Sequence, residues 1–206
     1  MRVVMLLVVT LLACTRAPPR FGEPGAQLSD GSAEESYRAL LEKYTDRSEV
    51  YGGFDTRVFT QVTYQALPFR EARVRRRASF QALPDVRVQA LLAEERGQAA
   101  EFHEFFFGVH ANEAAYNDFD RKKSIWRIAL ITPSGEITPA KVDRVGRATM
   151  DMRAYYPSLG DFWTGYRVRF PKQFPEGQAV IPDGTKEVMF RIASTLGQAE
   201  MTVGAQ

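Results

Sequence analysis

The spacing of apolar residues predicts helices in the first half of the chain and strands in the second half. Apolar residues recur every three or four positions in residues 33–44, which predicts a first helix. A second helix begins at Pro68 and ends before Pro84, and helical spacing continues in a third helix over residues 86–102. Between the first two helices, a period of two in residues 58–64 predicts a strand.

From His103 onward the period is two, in short runs separated by turns. Further strands are predicted over residues 103–109, 125–131, 148–154, 162–170, 187–192 and 199–203, with a short return strand at Pro139. The run 125–131 is apolar on both faces, which indicates a central strand, whereas Pro139 places its hairpin partner at a sheet edge. We therefore predict an α+β fold: mainly an antiparallel β-sandwich of about eight strands, Ig-like in size. An N-terminal helix precedes it, and two helices pack on one sheet or across one open end.

Charge is concentrated in the second predicted helix, which carries Arg70, Arg73, Arg75, Arg76 and Arg77. We expect the outer face of this helix to be basic. Such a surface can bind anionic lipid headgroups, polyanionic sugars or an acidic partner protein. The alternative is that glutamates of the third helix pair with these arginines inside the domain.

Two loops carry residues suited to a glycan or to calcium: Tyr116, Asn117, Asp118 and Asp120 in one, Tyr155 and Tyr156 in the other. Carboxylate and amide oxygens are ligands that a hard cation prefers, and exposed aromatic rings can stack on sugars. The spacing does not follow the best-known calcium-binding loop. The alternative is a solvated loop with local side-chain turns, together with tyrosines that close the end of the core.

The two histidines offer the first test for catalytic or metal chemistry. His103 and His110 are seven residues apart in a predicted strand, which directs them to opposite faces and argues against a shared zinc site. The chain has no nucleophile elbow, no Ser-x-x-Lys motif and no phosphate-binding glycine loop. We therefore expect a protein that is not an enzyme. A hydrolase with either histidine in a pocket remains an alternative, because catalytic groups can assemble from distant residues.

The N-terminal segment has the form of an export signal. Arg2 precedes an apolar run from Val3 to Leu12, which is too short to span a bilayer permanently. The residues Leu-Leu-Ala-Cys that end at Cys14 resemble the lipobox of bacterial lipoproteins. This resemblance implies that residues 1–13 are a signal peptide and that Cys14 carries the acyl lipid. By the sorting rule of enteric lipoproteins, Thr15 after the cysteine implies the outer membrane.

The rest of the chain divides into a tether and one domain. Residues 14–31 are rich in Pro and Gly, which predicts a flexible tether, and residues 32–206 are long enough for one globular domain. The net charge of +2 gives no global attraction to nucleic acid, and the single cysteine allows no disulfide within the chain. The domain resembles predicted envelope lipoproteins of Gram-negative bacteria that have no assigned activity, a resemblance that implies no site residues.

These observations predict a lipid-anchored, non-enzymatic envelope protein with a structural or partner-binding role. The membrane attachment is through the lipid on Cys14, and the contact surface is the arginine-rich helix. An envelope protein, a lipid headgroup or a glycan is the expected partner. A glycan-binding sandwich, assisted by calcium, is the first alternative, and a hydrolase is the second.

Overall fold

The computed structural model describes residues 31–52 and 55–206. The predicted signal peptide, the lipidation site Cys14 and nearly all of the predicted tether lie outside these residues. The helices are α1 Gly31–Tyr44, α2 Leu67–Gln81, α3 Asp85–Glu101 and α4 Met150–Tyr155, with a short 3-10 turn at Ala114–Tyr116. The strands are β1 Thr45–Gly52, β2 Asp55–Tyr64, β3 Phe102–Ala111, β4 Arg127–Thr132, β5 Gly135–Ile137, β6 Lys141–Arg147, β7 Thr164–Pro171, β8 Glu187–Ser194 and β9 Gly197–Gly204.

The strands form two antiparallel sheets, which confirms the predicted sandwich-like α+β fold. The larger sheet has the order β1-β2-β3-β7-β6, and the smaller sheet has the order β5-β4-β8-β9. Strands β1 and β9 bring the two sheets together along one side, where the backbone N–H of Thr202 donates to Oδ2 of Asp46 at 2.7 Å. The fold thus places β3 in the centre of the larger sheet.

Both faces of β3 are buried, because successive side chains of a strand point to opposite sides. Phe105 and Phe107 face the smaller sheet, where their ring centroids lie 5.6 and 5.2 Å from that of Phe190. Phe106 points the other way and stacks on Tyr156 at 4.1 Å. Burial of one such ring contributes about 1.5–3 kcal/mol to stability. The outer face of the larger sheet is therefore covered as well, and this is where the candidate site lies.

The prediction of a central strand followed by an edge strand is confirmed in the smaller sheet. Strand β4 lies between β5 and β8, and Ala129 and Leu130, on its opposite faces, are both buried. Strand β5 is at the edge of the sheet as predicted, but it ends at Ile137, so Pro139 follows the return strand rather than lying in it. A proline after an edge strand costs no ladder hydrogen bond.

One predicted strand is wrong, and two strands of the larger sheet, β1 and β6, have no counterpart among the predicted strands. Residues 148–154 were expected to form a strand, but they contain α4, whose N-cap Thr149 accepts a hydrogen bond from the backbone N–H of Met152 at 3.2 Å. The strand in this region is instead β6, which comes earlier in the chain. Strand β1 was not predicted, because only Val50 among its residues is buried. The described residues hold nine strands rather than about eight.

The helices gather at one end of the larger sheet. Helix α2 starts directly after β2, with Pro68 in its first turn, as predicted. Its Phe69 is completely buried, with ring centroids of Tyr37 and Tyr44 from α1 at 5.7 and 6.4 Å. Helix α3 packs on α2 through a small separate cluster of apolar side chains. Among residues 31–52 and 55–206, no helix has the length and hydropathy needed to cross a bilayer.

Candidate functional site

A group of charged side chains lies at the outer face of the larger sheet, where α2 and α3 meet β3 and β7. We call it the arginine–glutamate cluster, and its members are Arg70, Arg73, Glu95, Glu104, Arg167 and Arg169. Four arginines and two glutamates leave two positive charges in excess, and Asp143, 3.8 Å from Nη1 of Arg169, offsets one of them. The first two arginines come from the predicted basic helix, so part of that helix turns its charge inward.

Arg70 joins three elements of the fold. Its side chain is completely buried, and its Nη1 lies 2.5 Å from Oε2 of Glu95 on α3. Its Nη2 lies 3.4 Å from Oε1 of Glu104 on β3, and its Nε donates to the backbone carbonyl of Gln65 at 2.7 Å. A buried cation of this kind is tolerated only when it is paired and hydrogen-bonded. Arg70 therefore fixes α2 against α3 and the sheet.

Arg73 continues the cluster toward the surface. Its Nη2 lies 2.6 Å from Oε1 of Glu95, and its Nη1 donates to Oε1 of Gln65 at 2.8 Å and to the Tyr156 hydroxyl at 3.3 Å. Burial alone would lower the pKa of Arg73, but Tyr156 and Glu95 raise it well above the ordinary value. Burial likewise acts to raise the pKa of Glu95, but Arg73 and Arg70 outweigh it and lower that pKa. Both partners are therefore held in their charged forms.

Glu104 collects the remaining charges and lines a cavity. Arg169, its direct partner in β7, donates to Oε2 at 2.9 Å, and Nε of the half-exposed Arg167 lies 3.6 Å from Oε1. The cavity beside them has a volume of about 170 Å³. Its polar lining includes Gln65, Arg73, Glu104, Tyr155, Tyr156 and Arg167. Asp151 also lines it, so two carboxylates accompany the two guanidiniums. The cavity has room for roughly five water molecules and presents groups that hydrogen-bond a small polar ligand.

The predicted basic face of α2 is wrong for three of its five arginines. Arg70 and Arg73 belong to the cluster, and Arg76 is buried, where it pairs with Glu34 of α1. Only Arg75 and Arg77 are exposed. The alternative of pairing with glutamates of the third helix is therefore correct for Arg70 and Arg73, whereas Arg76 pairs with a glutamate of α1 instead.

The acidic loop is organised by its own hydrogen bonds. Asp118 is buried and accepts from the Ser124 hydroxyl at 2.9 Å and from the backbone N–H of Ile125 at 3.2 Å. The side-chain oxygen of Asn117 accepts from the Tyr166 hydroxyl at 2.6 Å. Asp120 is exposed and lies 3.8 Å from Nη1 of Arg144. Within the part of the chain that the structure describes, no group of three or more His, Cys, Asp or Glu side chains is arranged to hold a metal ion.

The tyrosines predicted as a sugar platform are not brought together. Tyr156 is buried and stacks on Phe106 at the outer face of the larger sheet, so it closes the core. Tyr155 is half-buried beside it, and burial raises its pKa. The loop of Tyr116 instead packs its Phe119 on Phe107, on the other face of β3. The two loops that the sequence offers for a glycan or calcium therefore lie on opposite sides of one strand, and their tyrosines do not form one shared platform.

The histidines occupy opposite faces of β3, as their spacing predicts. Nδ1 of His103 lies 2.9 Å from the Tyr64 hydroxyl and 3.3 Å from Nζ of Lys172. Burial, together with the positive charge of Lys172, lowers the pKa of His103 to about 3. The His110 ring packs 6.0 Å from the ring of Phe59. His103 is therefore a neutral residue of the core at physiological pH.

A larger cavity of about 420 Å³ opens at the start of α2. Its lining includes Tyr64, Pro68, Arg96, Phe102 and Lys172. Arg96 is paired with Glu71 at 2.7 Å, and burial together with Arg70 lowers the pKa of Lys172. This cavity has apolar walls and the cationic side chains of Arg96 and Lys172. Its lining has no paired base and nucleophile of the kind that hydrolysis needs.

Sequence reasoning missed the members of the cluster that lie on the sheet, Glu104, Arg167 and Arg169. It also missed Gln65, which accepts hydrogen bonds from Arg70 and Arg73. A signal was present, because Arg167 and Arg169 alternate with apolar residues in β7 and therefore share one face. The pairing of β7 with β3, which sets Glu104 opposite Arg169, is a long-range contact that no local pattern announces.

Comparison of the chain with protein-family models, with curated proteins and with solved structures found no match.

Proposed function

We propose that this protein is a lipid-anchored, non-enzymatic component of the cell envelope that binds another envelope component. The observation that carries the proposal is the export signal that ends in Leu-Leu-Ala-Cys, with Cys14 as the only cysteine of the chain. The same observation supports an outer-membrane location, since Thr15 follows the cysteine. Several acyl chains on one residue are needed for stable attachment, which the lipoprotein resemblance implies.

The chemistry of the candidate site supports a structural or binding role. General acid–base catalysis works best with a pKa near the operating pH. In the described residues, burial moves the pKa of His103 down to about 3 and that of Tyr64 up to about 12, both away from neutrality. Arg73 and Glu95 form an ion pair with each other. The ion pairs of the arginine–glutamate cluster hold α2 and α3 against the larger sheet and so fix the position of the helix surface.

The exposed positive charge of α2 is the proposed contact surface. It consists of Arg75 and Arg77, because Arg70, Arg73 and Arg76 are engaged inside the domain. Two exposed arginines attract an acidic partner modestly and act mainly on the rate and specificity of association. An acidic envelope protein is therefore the expected partner.

The test is crosslinking and pull-down from intact envelopes with charge-reversed variants. The variant R75E/R77E reverses two exposed charges of α2 without touching the buried ion pairs. The control K122E/K123E makes the same change of charge at two exposed lysines of the loop before β4. We expect the first variant to lose its main crosslinked partner and the second to retain it.

An unchanged set of partners for R75E/R77E would remove α2 from consideration as the contact surface. Reversal of Arg73 or Arg76 would not be informative, since each is paired with a glutamate inside the domain and its loss would destabilise the fold.

A further inference from the structure

Exposed apolar side chains collect around α4. Met150 is 80 % exposed, Phe162 is 72 % exposed and Val145 is 48 % exposed. The backbone N–H of Ala148 donates to the carbonyl of Trp163 at 2.7 Å, so the residues just before α4 lie beside those just before β7. Met150, two residues after Ala148, and Phe162, one residue before Trp163, therefore lie on the same side of this hydrogen bond, although they are twelve positions apart in sequence. We call the surface formed by Val145, Arg147, Met150 and Phe162 the α4 face.

The α4 face carries a positive charge next to its aromatic ring. The guanidinium carbon of Arg147 lies 5.1 Å from the centroid of the Phe162 ring, and its Nε donates to the carbonyl of Asp161 at 3.0 Å. Among the described residues, Arg147 forms no ion pair with a carboxylate. Apolar and aromatic side chains that enter the headgroup region, with a cation that meets anionic lipid, are the usual composition of an interfacial membrane contact.

The chain enters the domain on the same side. Arg76 pairs with Glu34 in the first turn of α1 and also donates to the carbonyl of Ala154 at the end of α4. The Tyr37 hydroxyl donates to the carbonyl of Tyr155 at 2.8 Å. Since α4 has six residues, it is roughly 9 Å long. Gly31, the first described residue, therefore lies on the side of the domain that carries α4, and the residues that lead back to Cys14 join the domain there.

A partner strand is a poor occupant for this surface. Strand β6 is the edge of the larger sheet, but its register is broken by a bulge between Arg144 and Gly146, where Gly146 has a φ of 119°. A bulge of this kind interrupts the row of backbone groups that a further strand would need. Val145 lies in the bulge itself, and Met150 and Phe162 lie beyond it, toward α4.

We propose that the α4 face rests on the anionic lipid surface to which the chain is tethered. This proposal rests on the proposed function in one respect, the acyl anchor that holds the tether at the membrane. The composition of the α4 face does not depend on that anchor. A tether converts the contact into an intramolecular event, so even a small apolar patch is enough to orient the domain. The domain then lies with α4 against the bilayer and the smaller sheet away from it.

The test uses the acylated chain in vesicles of phosphatidylethanolamine with phosphatidylglycerol. An environment-sensitive maleimide dye is attached to Met150→Cys, or to Val86→Cys as the control. Val86 is an equally exposed apolar residue, at 84 %, on α3. Lipids with brominated acyl chains then quench only a dye that enters the bilayer. We expect a loss of roughly half of the emission at position 150 and no loss at position 86.

Two further variants separate the face from its surroundings. Met150→Cys combined with R147E and F162D is expected to lose the quenching, whereas Met150→Cys combined with K122E keeps it. Equal quenching at positions 150 and 86, or none at position 150, would overturn the proposal. Protection of position 150 by a protein crosslink in intact envelopes, without quenching in vesicles, would assign the face to a protein partner instead.

The same experiment distinguishes failure of the anchor from failure of the face. The wild-type chain takes up no dye if the sulfur of Cys14 carries lipid, and uptake of dye would contradict the proposed function. In that case both labelled positions are measured again in a Cys14→Ser background. This variant is held on the vesicles by an N-terminal polyhistidine tag and a nickel-chelating lipid, which replaces the acyl tether. Quenching confined to position 150 would still support the face, and its absence would reject it.

Discussion

At the scale of single residues, Arg70 is the side chain on which the candidate site depends most. Removal of one partner from a buried ion pair leaves an uncompensated charge and costs about 3–5 kcal/mol. We expect Arg70→Ala to lower the free energy of unfolding by about 3 kcal/mol, the low end of this range, because Glu95 keeps Arg73 and Glu104 keeps Arg169 as a partner. Urea unfolding followed by circular dichroism measures the change.

Arg75→Ala is the matched control, since Arg75 is exposed on the same helix. Its effect on the free energy of unfolding should stay within about 0.5 kcal/mol. Equal effects of the two substitutions would show that Arg70 is not held as the structure describes.

His103 gives the fold a dependence on pH whose sign follows from its pKa. The unfolded chain binds a proton at this histidine below its ordinary pKa of about 6.5, whereas the folded chain does so only below about 3. Between these values the unfolded state binds more protons. The stabilising contribution is therefore complete above about pH 6.5 and is lost as the pH falls toward 3.

His103→Asn removes this titration while keeping a hydrogen-bonding group beside Tyr64 and Lys172. From pH 7 to pH 5, we expect the free energy of unfolding of the wild type to fall by about 2 kcal/mol more than that of the variant. Urea unfolding at the two pH values measures the difference. Parallel losses in both proteins would mean that His103 is protonated in the folded state.

At the scale of elements, Gly204 tests how closely α1 packs on β9, and Gly97 in α3 provides the control. A Cβ atom at Gly204 would lie 2.8 Å from the backbone carbonyl oxygen of Lys43 at the end of α1, and backbone cannot move aside. A Cβ atom at Gly97, in the middle of α3, would meet no atom within 4 Å. Gly204→Ala should therefore destabilise the protein by about 1–3 kcal/mol, whereas Gly97→Ala should stabilise it by about 0.5–1 kcal/mol.

Thermal unfolding of the two glycine variants provides the comparison. Opposite shifts of the melting temperature are expected, downward for Gly204→Ala and upward for Gly97→Ala. A Gly204→Ala protein as stable as the wild type would mean that α1 does not approach β9 as described.

Elements with a continuous apolar face could be predicted from the sequence, and polar elements could not. Strand β3 has a continuous apolar face of Phe105, Phe107 and Val109, so its period of two predicts a strand. Strands β1 and β6 lie at the edges of the larger sheet, and no residue of β6 is fully buried. Their polar sequences carry almost no period. Residues 148–154 do alternate, but the N-cap at Thr149 and the packing of α4 on the sheet override that pattern.

The sequence reveals the arginines that α2 contributes to the candidate site, but not the residues of other elements that pair with them. The arginines of α2 stand out as a run, but whether a charge points outward depends on which glutamates the fold brings to it. Glu34, Glu95 and Glu104 come from α1, α3 and β3, and no local pattern couples them to α2. The separation of the two tyrosine loops likewise depends on which face of β3 each loop covers.

For the whole molecule, the proposed function and the proposed membrane contact together describe a lipid-anchored body with two separate surfaces. The arginine–glutamate cluster fixes the helices, Arg75 and Arg77 remain for a partner, and the α4 face lies on the side where the tether joins. An acyl anchor would keep this body at the membrane surface and make weak contacts sufficient. The anchor is thus the claim on which partner, compartment and orientation depend.

Mass spectrometry of the protein purified from cell envelopes tests that claim most directly. The account predicts a chain that begins at Cys14, with a mass increased by its acyl groups and with no residue of the signal peptide. A chain that retains Met1, or one that carries Cys14 as a free thiol, would contradict it.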